Sequence, residues 1–287
     1  MIEIKKRPKD FIVIEEASFE IDENGTHFLY LLTKKNLTTR ELASLLGFSY
    51  AGLKDKTAVT VQHVSFPEFK GNYVRENLKD GAYFLKFIGK IPKKIKIGHL
   101  KGNRFYIKLH GQKVKPANYF INFYGIQRLK GNVYKGEKLF KKLMEKPGKL
   151  KWRENFLIDA FLSFLWNETL KLYLSETVEG KFKNCEGFHF FIPSESLEKI
   201  REKVPKFWTI AGYKKDYRES LPFYKKVLSE KDISMDDFIR TLKNLRIKGD
   251  FRKTYLPVKA EIKNDFISFS LPKGAYATVY LIFCDFR

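Results

Sequence analysis

The stretch "YAGLKDKTAVTVQ", Tyr50 to Gln62, sets a single carboxylate, Asp55, between Lys54 and Lys56. After it comes "AVTVQHVSF", a β-branched run from Ala58 to Phe66 that reads as a strand. Just before it, "LTTRELASLLG" predicts a helix, with Thr38 or Thr39 as N-cap, Leu42, Leu45 and Leu46 on one side, and Gly47 as the stop. Asp55 therefore falls on a loop between a helix and a strand, where rigid elements can hold an exposed functional group. Two positive neighbours favour an ionised carboxylate there. Such a group can act as general base or nucleophile. The same residues also fit an ordinary turn aspartate among surface lysines.

Outward from this loop the pattern mixes strands and helices. "DFIVIEE" (Asp10 to Glu16) reads as a short strand, "DENG" (Asp22 to Gly25) as a turn, and "THFLYLLTKK" (Thr26 to Lys35) as the returning strand. "AYFLKFIGK" and "NRFYIKLH" alternate as strands with their lysines outward. From "NYFINFYGIQR" (Asn118 to Arg128) the character turns helical. "ENFLIDAFLSFLWNETLKLYL" carries Ile158, Phe161, Leu162, Leu165 and Trp166 at helical spacing. Beyond about Arg246, "LPVKAEIKNDFISFSLPKGAYATVYLIF" returns to strands. The expectation is an α+β chain whose first and last segments, 1–117 and 253–287, share one sheet, with a mainly helical insertion over 118–252.

Charge narrows the partners. Lys and Arg number 55 against 33 Asp and Glu in 287 residues, a formal net charge of +22. An excess of that size, spread along the chain, points first to a polyanion. Compositional bias or adaptation to heat is the plainer alternative. The opening segment lacks the apolar run of a signal peptide, and no run approaches a membrane span. Cys185 and Cys284 stand far apart, and the five histidines form no ligand motif. A soluble, cytoplasmic protein without a cofactor or metal is the expectation. A phosphorylated-aspartate loop of the haloacid dehalogenase kind is disfavoured. "AGLK" is no apolar strand, and Asp236, Asp237 and Asp250 form no acidic magnesium loop.

Six landmarks in order carry a resemblance. "KKRPKDFIVIEE", "NGTHFLYLLTKKNLTTR", "YAGLKDKTAVTVQ", "GNRFYIKL", "NFYGIQR" and "LPKGAYATVYL" resemble the successive signature elements of the TruD family of tRNA pseudouridine synthases. The resemblance implies an isomerase that converts a uridine of tRNA, typically position 13, to pseudouridine without a cofactor. It also implies a V-shaped, two-domain enzyme: a mixed, largely antiparallel pseudouridine-synthase sheet interrupted by a family-specific helical domain. No obligate protein partner is implied.

Residue by residue, the resemblance places the catalytic aspartate on Asp55, the active-site lysine on Lys5 and a nearby phenylalanine on Phe11. It places the Gly-Asn-x-Phe pair on Asn103 and Phe105 and a late aromatic on Tyr276. Departures are Ile121, where proline is common, "RLKG" after Gln127, and Tyr276 in place of phenylalanine. Lys54, Lys56, Lys93, Lys94, Lys96, Lys101 and Arg128 are candidate RNA contacts, with Lys35 and Lys90 added by charge density alone. Each of these also reads as a core or solvated residue when taken singly. A non-catalytic basic RNA-binding protein or RNA chaperone is the rival function.

Overall fold

The structure is a computed structural model that describes residues 6–286. Alternating burial builds its sheet. In β1 (Phe11–Glu16), Phe11, Val13 and Glu15 are buried while the residues between them are half-exposed. In β2 (His27–Lys35), Tyr30, Leu32 and Lys34 point inward with the same period of two. Among the described residues nine strands form one sheet. Its order runs Ala260–Lys263, Phe266–Pro272, β7 (Gly102–Lys108), β1, β4 (Val59–Phe66), β2, β6 (Gly81–Ile91) and β5 (Tyr73–Leu78), with β3 (Ser49–Tyr50) beside β4. The β1–β4 pair is parallel and its neighbours are antiparallel. The architecture is thus α+β with a largely antiparallel sheet.

Register puts one row of side chains across the inner face: Phe269, Phe105, Val13, Thr60, Lys34 and Tyr83. Helix α1 (Thr39–Leu46) lies over part of that face, where Leu42 packs with Tyr30, Leu32, Val64, Phe66, Tyr83 and Leu85. Its start is fixed by a capping box. Thr38 Oγ1 accepts from Glu41 N at 3.1 Å, and the Glu41 carboxylate accepts from Thr38 N at 3.0 Å. Such a cap stabilises a helix by about 1 kcal/mol. Gly47 ends it at φ 77°, where a Cβ would be strained. Of the leucines expected on one side, Leu42 is buried but Leu45 is 61% exposed.

The chain divides into two compact units. One contains the residues before Pro116 and Val258–Ala275; the other contains Pro116–Pro257 and Tyr276–Asp285. The second is built on the helix Trp152–Thr177, whose Ile158, Phe161, Leu162 and Leu165 join a core with Phe140, Tyr224, Leu228, Phe238 and Leu242.

Three local expectations are corrected. Tyr119–Ile121 is a strand paired with Tyr255–Pro257, and helix begins only at Ile126. A hairpin, Gly180–Cys185 with Phe188–Pro193, interrupts the helical stretch. The segment expected as the last strand forms a helix over Ala277–Phe283 and groups with the second unit. Its β-branched and aromatic residues read as a strand. Burial of Ala277, Tyr280 and Leu281, at helical spacing, decides the matter.

Candidate active site

Asp55 sits in the loop before β4, exposed, with its carboxylate oriented by its own turn. Oδ1 accepts from Thr57 N at 2.9 Å and from Thr57 Oγ1 at 3.1 Å. Lys54 and Asp55 anchor the loop to α1, β1 and β2. Lys54 N donates to Thr39 Oγ1 at 3.1 Å, and Thr39 in turn donates to Gln62 Oε1 of β4 at 2.8 Å. The Lys54 ammonium donates to Glu15 of β1 at 2.6 Å. From β2, Lys34 Nζ donates to the Asp55 carbonyl at 3.0 Å and to the Leu37 carbonyl at 2.7 Å.

These contacts answer why a carboxylate stands between two lysines. Lys56 is exposed. Lys54 turns inward, with its side chain 3% accessible and its charge opposite a fully buried Glu15. The expectation that Lys54 contacts RNA is therefore corrected, because its ammonium is committed to Glu15 and shielded from solvent. Burial pushes the Glu15 carboxyl up. The His63 hydrogen bond and the Lys54 charge outweigh it and hold the carboxyl below its ordinary value. For Lys34, burial dominates and pulls its pKa down to about 8, although the Asp55 and Glu41 charges support the ammonium and Lys54 opposes it.

The residues expected around Asp55 are arranged by the strand register. Asn103 and Phe105 of β7 share the inner face, opposite Glu15 and Val13 of β1. Phe105 lies against Phe269 at 5.5 Å and meets Phe11 edge-on at 6.1 Å. Both Phe11 and Phe105 are buried, so much of each ring is covered by protein. Asn103 differs from them: its Oδ1 is buried and has no hydrogen-bond partner. Thr60 Oγ1, in the row beside Lys34, is in the same state. Buried orphan acceptors are uncommon in folded proteins and call for an explanation. Lys5 lies outside the described residues.

Two expected residues lie in the second unit. Tyr276 meets Tyr124 at 6.2 Å, and a Cβ on Gly125 would lie 2.7 Å from the Tyr276 ring. Only glycine fits there, which is how the "NFYGIQR" element seats this tyrosine. Burial pushes the Tyr276 hydroxyl up in pKa, against the charges of Arg128 and Arg252. Arg128 is itself engaged, with Nε on Ser163 Oγ at 3.2 Å and a terminal nitrogen 3.4 Å from the Asp159 carboxylate.

The expected lysines near Asn103 are open. Lys93, Lys94, Lys96 and Lys101 are all exposed on the segment between β6 and β7. Main-chain bonds pin that segment beside the Asp55 loop: Gly98 N donates to the Ala51 carbonyl at 2.7 Å, and Lys101 N to the Glu16 carbonyl at 2.8 Å. Lys35 is also exposed. The Lys90 ammonium lies 5.6 Å over the Phe28 ring.

Comparison with known proteins fits this geometry. The family model for tRNA pseudouridine synthase D (TruD) matches residues 2–130 and 147–282. The chain belongs to the TruD family. A tRNA pseudouridine synthase D of Wolinella succinogenes is 31% identical over 234 residues, which cover 71% of this chain and 63% of that protein. For the Campylobacter jejuni enzyme the figures are 32% identity, 80% and 67%. For that of Sulfurimonas denitrificans they are 28%, 96% and 93%. Matches to the first two relatives thus span about two thirds of their length. A solved Methanosarcina mazei structure, described as tRNA pseudouridine synthase D, shares the fold with a TM-score of 0.59. It is 21% identical and covers 97% of this chain and 92% of that one.

Within this TruD-family chain, sequence reasoning missed Lys34, Thr39 and Gln62 as anchors of the Asp55 loop, and did not assign Glu15 a place in the site. A signal for Lys34 was present: it falls in step with Tyr30 and Leu32 on the inward side of β2. No helix among the described residues is long and apolar enough to cross a membrane. No group of three or more His, Cys, Asp or Glu among them could hold a metal ion.

Proposed function

We propose that this chain isomerises a uridine of tRNA to pseudouridine and that Asp55 is its catalytic carboxylate. In this reaction the N1–C1′ bond breaks, the uracil rotates, and C1′ joins C5. The C5 hydrogen leaves as a proton and N1 gains one. A carboxylate can begin it by attacking the nucleoside or by removing a ribose proton. The observation that carries the reading is the Asp55 loop itself: an exposed carboxylate on a loop whose main chain is held from β2 and α1 and whose Lys54 side chain is held from β1. Membership of the TruD family supports it, and the resemblance points to tRNA position 13.

The other residues take roles suited to their settings. Extruding a base from its stack costs a few kcal/mol, which contacts in the site must offset. Asn103 Oδ1, buried and without a partner, is suited to accept from a polar edge of the detached uracil. Phe11 and Phe105 form an apolar floor with Phe269. The exposed lysines at 93, 94, 96 and 101 supply phosphate contacts.

The test is release of tritium from tRNA transcripts carrying uridine tritiated at C5, followed by mapping of the modified position. Release, with a single mapped uridine, is expected. Salt-sensitive binding without release from any tRNA would favour a binding protein instead.

A further inference from the structure

We propose that Lys34 is a positioning residue for this reaction. Its buried ammonium ties the Asp55 loop to the start of α1 and so fixes where Asp55 presents its carboxylate. The inference rests on the reading of Asp55 given above.

The geometry is that of a clamp. Lys34 is 1% exposed, and its two hydrogen-bond acceptors are the main-chain carbonyls of Leu37 and Asp55. Those carbonyls belong to segments that the chain itself joins only through the whole of α1 and β3. The ammonium is thus a short cross-brace between them.

An apolar side chain would fill this place without burying a charge. Lys34 lies in the sheet interior between Thr60 and Tyr83, two residues along from Leu32. Burying a cation there carries a heavy desolvation penalty unless its partners offset it. They do so only in part, since burial holds the Lys34 pKa near 8 even beside Asp55. A residue kept against stability, next to the reacting group, marks a functional role.

The clamp also sets a pH dependence. Facing Lys34 are Asp55 and Lys54 from the loop, Glu41 from α1, and Tyr83 from β6, whose hydroxyl is held by Glu76; Thr60 from β4 is uncharged. Below about pH 8 Lys34 is charged and grips both carbonyls. As pH rises through that value it loses its charge, the grip weakens and turnover falls. Stability moves the other way. The folded pKa lies below the ordinary 10.5, so between about 8 and 10.5 the folded state sheds a proton that the unfolded chain keeps. Wild type then gains stability relative to a variant lacking the amine.

The experiment measures kcat by tritium release, and tRNA affinity by filter binding, for wild type, Lys34→Met and Lys34→Arg between pH 6.5 and 9.5. Misplacing a catalytic group by about 1 Å costs on the order of 10²-fold, which is the loss of kcat expected for Lys34→Met. Its tRNA affinity should stay within about twofold, because phosphate contacts carry binding. Lys34→Arg keeps charge and donors, so it should recover most of kcat and lack the fall above pH 8 that wild type shows.

A folded Lys34→Met with kcat within about threefold of wild type overturns the clamp, since misplacement should cost far more. Should Lys34→Met fail to fold, the arginine variant decides: an alkaline limb unmoved from that of wild type overturns it equally. Wild type inactive on every tRNA overturns the reaction and the clamp together. An active wild type with an equally active Lys34→Met overturns the clamp alone.

Discussion

Replacing Glu15 by glutamine should destabilise the first unit by about 3 kcal/mol at neutral pH, and the loss should shrink in acid. The magnitude follows from burial: the Glu15 side chain is 0% accessible and that of Lys54 3%, with 2.6 Å between charges. Removing one partner of such a pair costs roughly 3–5 kcal/mol, because the other charge stays buried without a counter-ion. Glutamine keeps the volume and one of the two oxygens, so it can accept from Lys54 or from His63 N but not from both, which puts the loss at the low end of that range. The pH dependence has a definite sign. Burial raises the Glu15 pKa, but His63 and Lys54 bring it below its ordinary value of 4.5. The contribution is therefore fully present above pH 4.5 and is lost as pH falls through the lower folded value.

Urea unfolding at pH 7 and pH 4, followed by far-ultraviolet circular dichroism, measures both effects. Tryptophan fluorescence is an internal control, because Trp152, Trp166 and Trp208 all lie in the second unit. Glu15→Gln combined with Lys54→Met should recover much of the loss, since the buried cation goes with its partner. A difference below about 1 kcal/mol at pH 7 would mean that the pair is worth no more than an exposed one and that burial does not set its strength. A difference that does not change between the two pH values would mean that ionisation of Glu15 does not set it.

Two further predictions concern substrate recognition. Asn103→Ala should leave stability within about 1 kcal/mol of wild type, because it removes a buried acceptor that has no partner. Loss of its bond to the base should lower kcat roughly 10–100-fold, and a stability loss with unchanged turnover would make Asn103 structural. Glutamine at Lys93, Lys94, Lys96 and Lys101 together should flatten the salt dependence of tRNA binding by roughly 0.7 for each phosphate that is no longer neutralised. An unchanged slope would assign these lysines to a merely solvated face.

Much of the fold was legible because apolar alternation and capping are local. "FIVIEE" shows the period of β1, and Thr38 with Glu41 shows the start of α1. The "NFYGIQR" element stands out in the sequence, but its physical reason, a glycine pressed against Tyr276, shows only in the second unit's packing. The Ala277–Phe283 helix was misread because strand-prone residues there adopt the period that burial demands. The Asp55 loop was legible as a motif, whereas its supports were not. Lys34 and Lys54 look like surface residues in a chain of net charge +22. The step of Lys34 with Tyr30 and Leu32 marks it as inward, but only Glu15, arriving from a strand far off in the sequence, shows that Lys54 turns inward too.

The central claim is that the Asp55 carboxylate performs chemistry while the elements around it hold it still. Tritium release and tRNA affinity, measured on the same preparations of wild type and Asp55→Asn, test this most directly. Release by wild type and none by the variant is expected, with affinity within about twofold, because one carboxylate contributes little to a phosphate-driven interaction. Release by Asp55→Asn at the wild-type rate would contradict that claim, as would an Asp55→Asn protein that loses turnover only because it no longer folds.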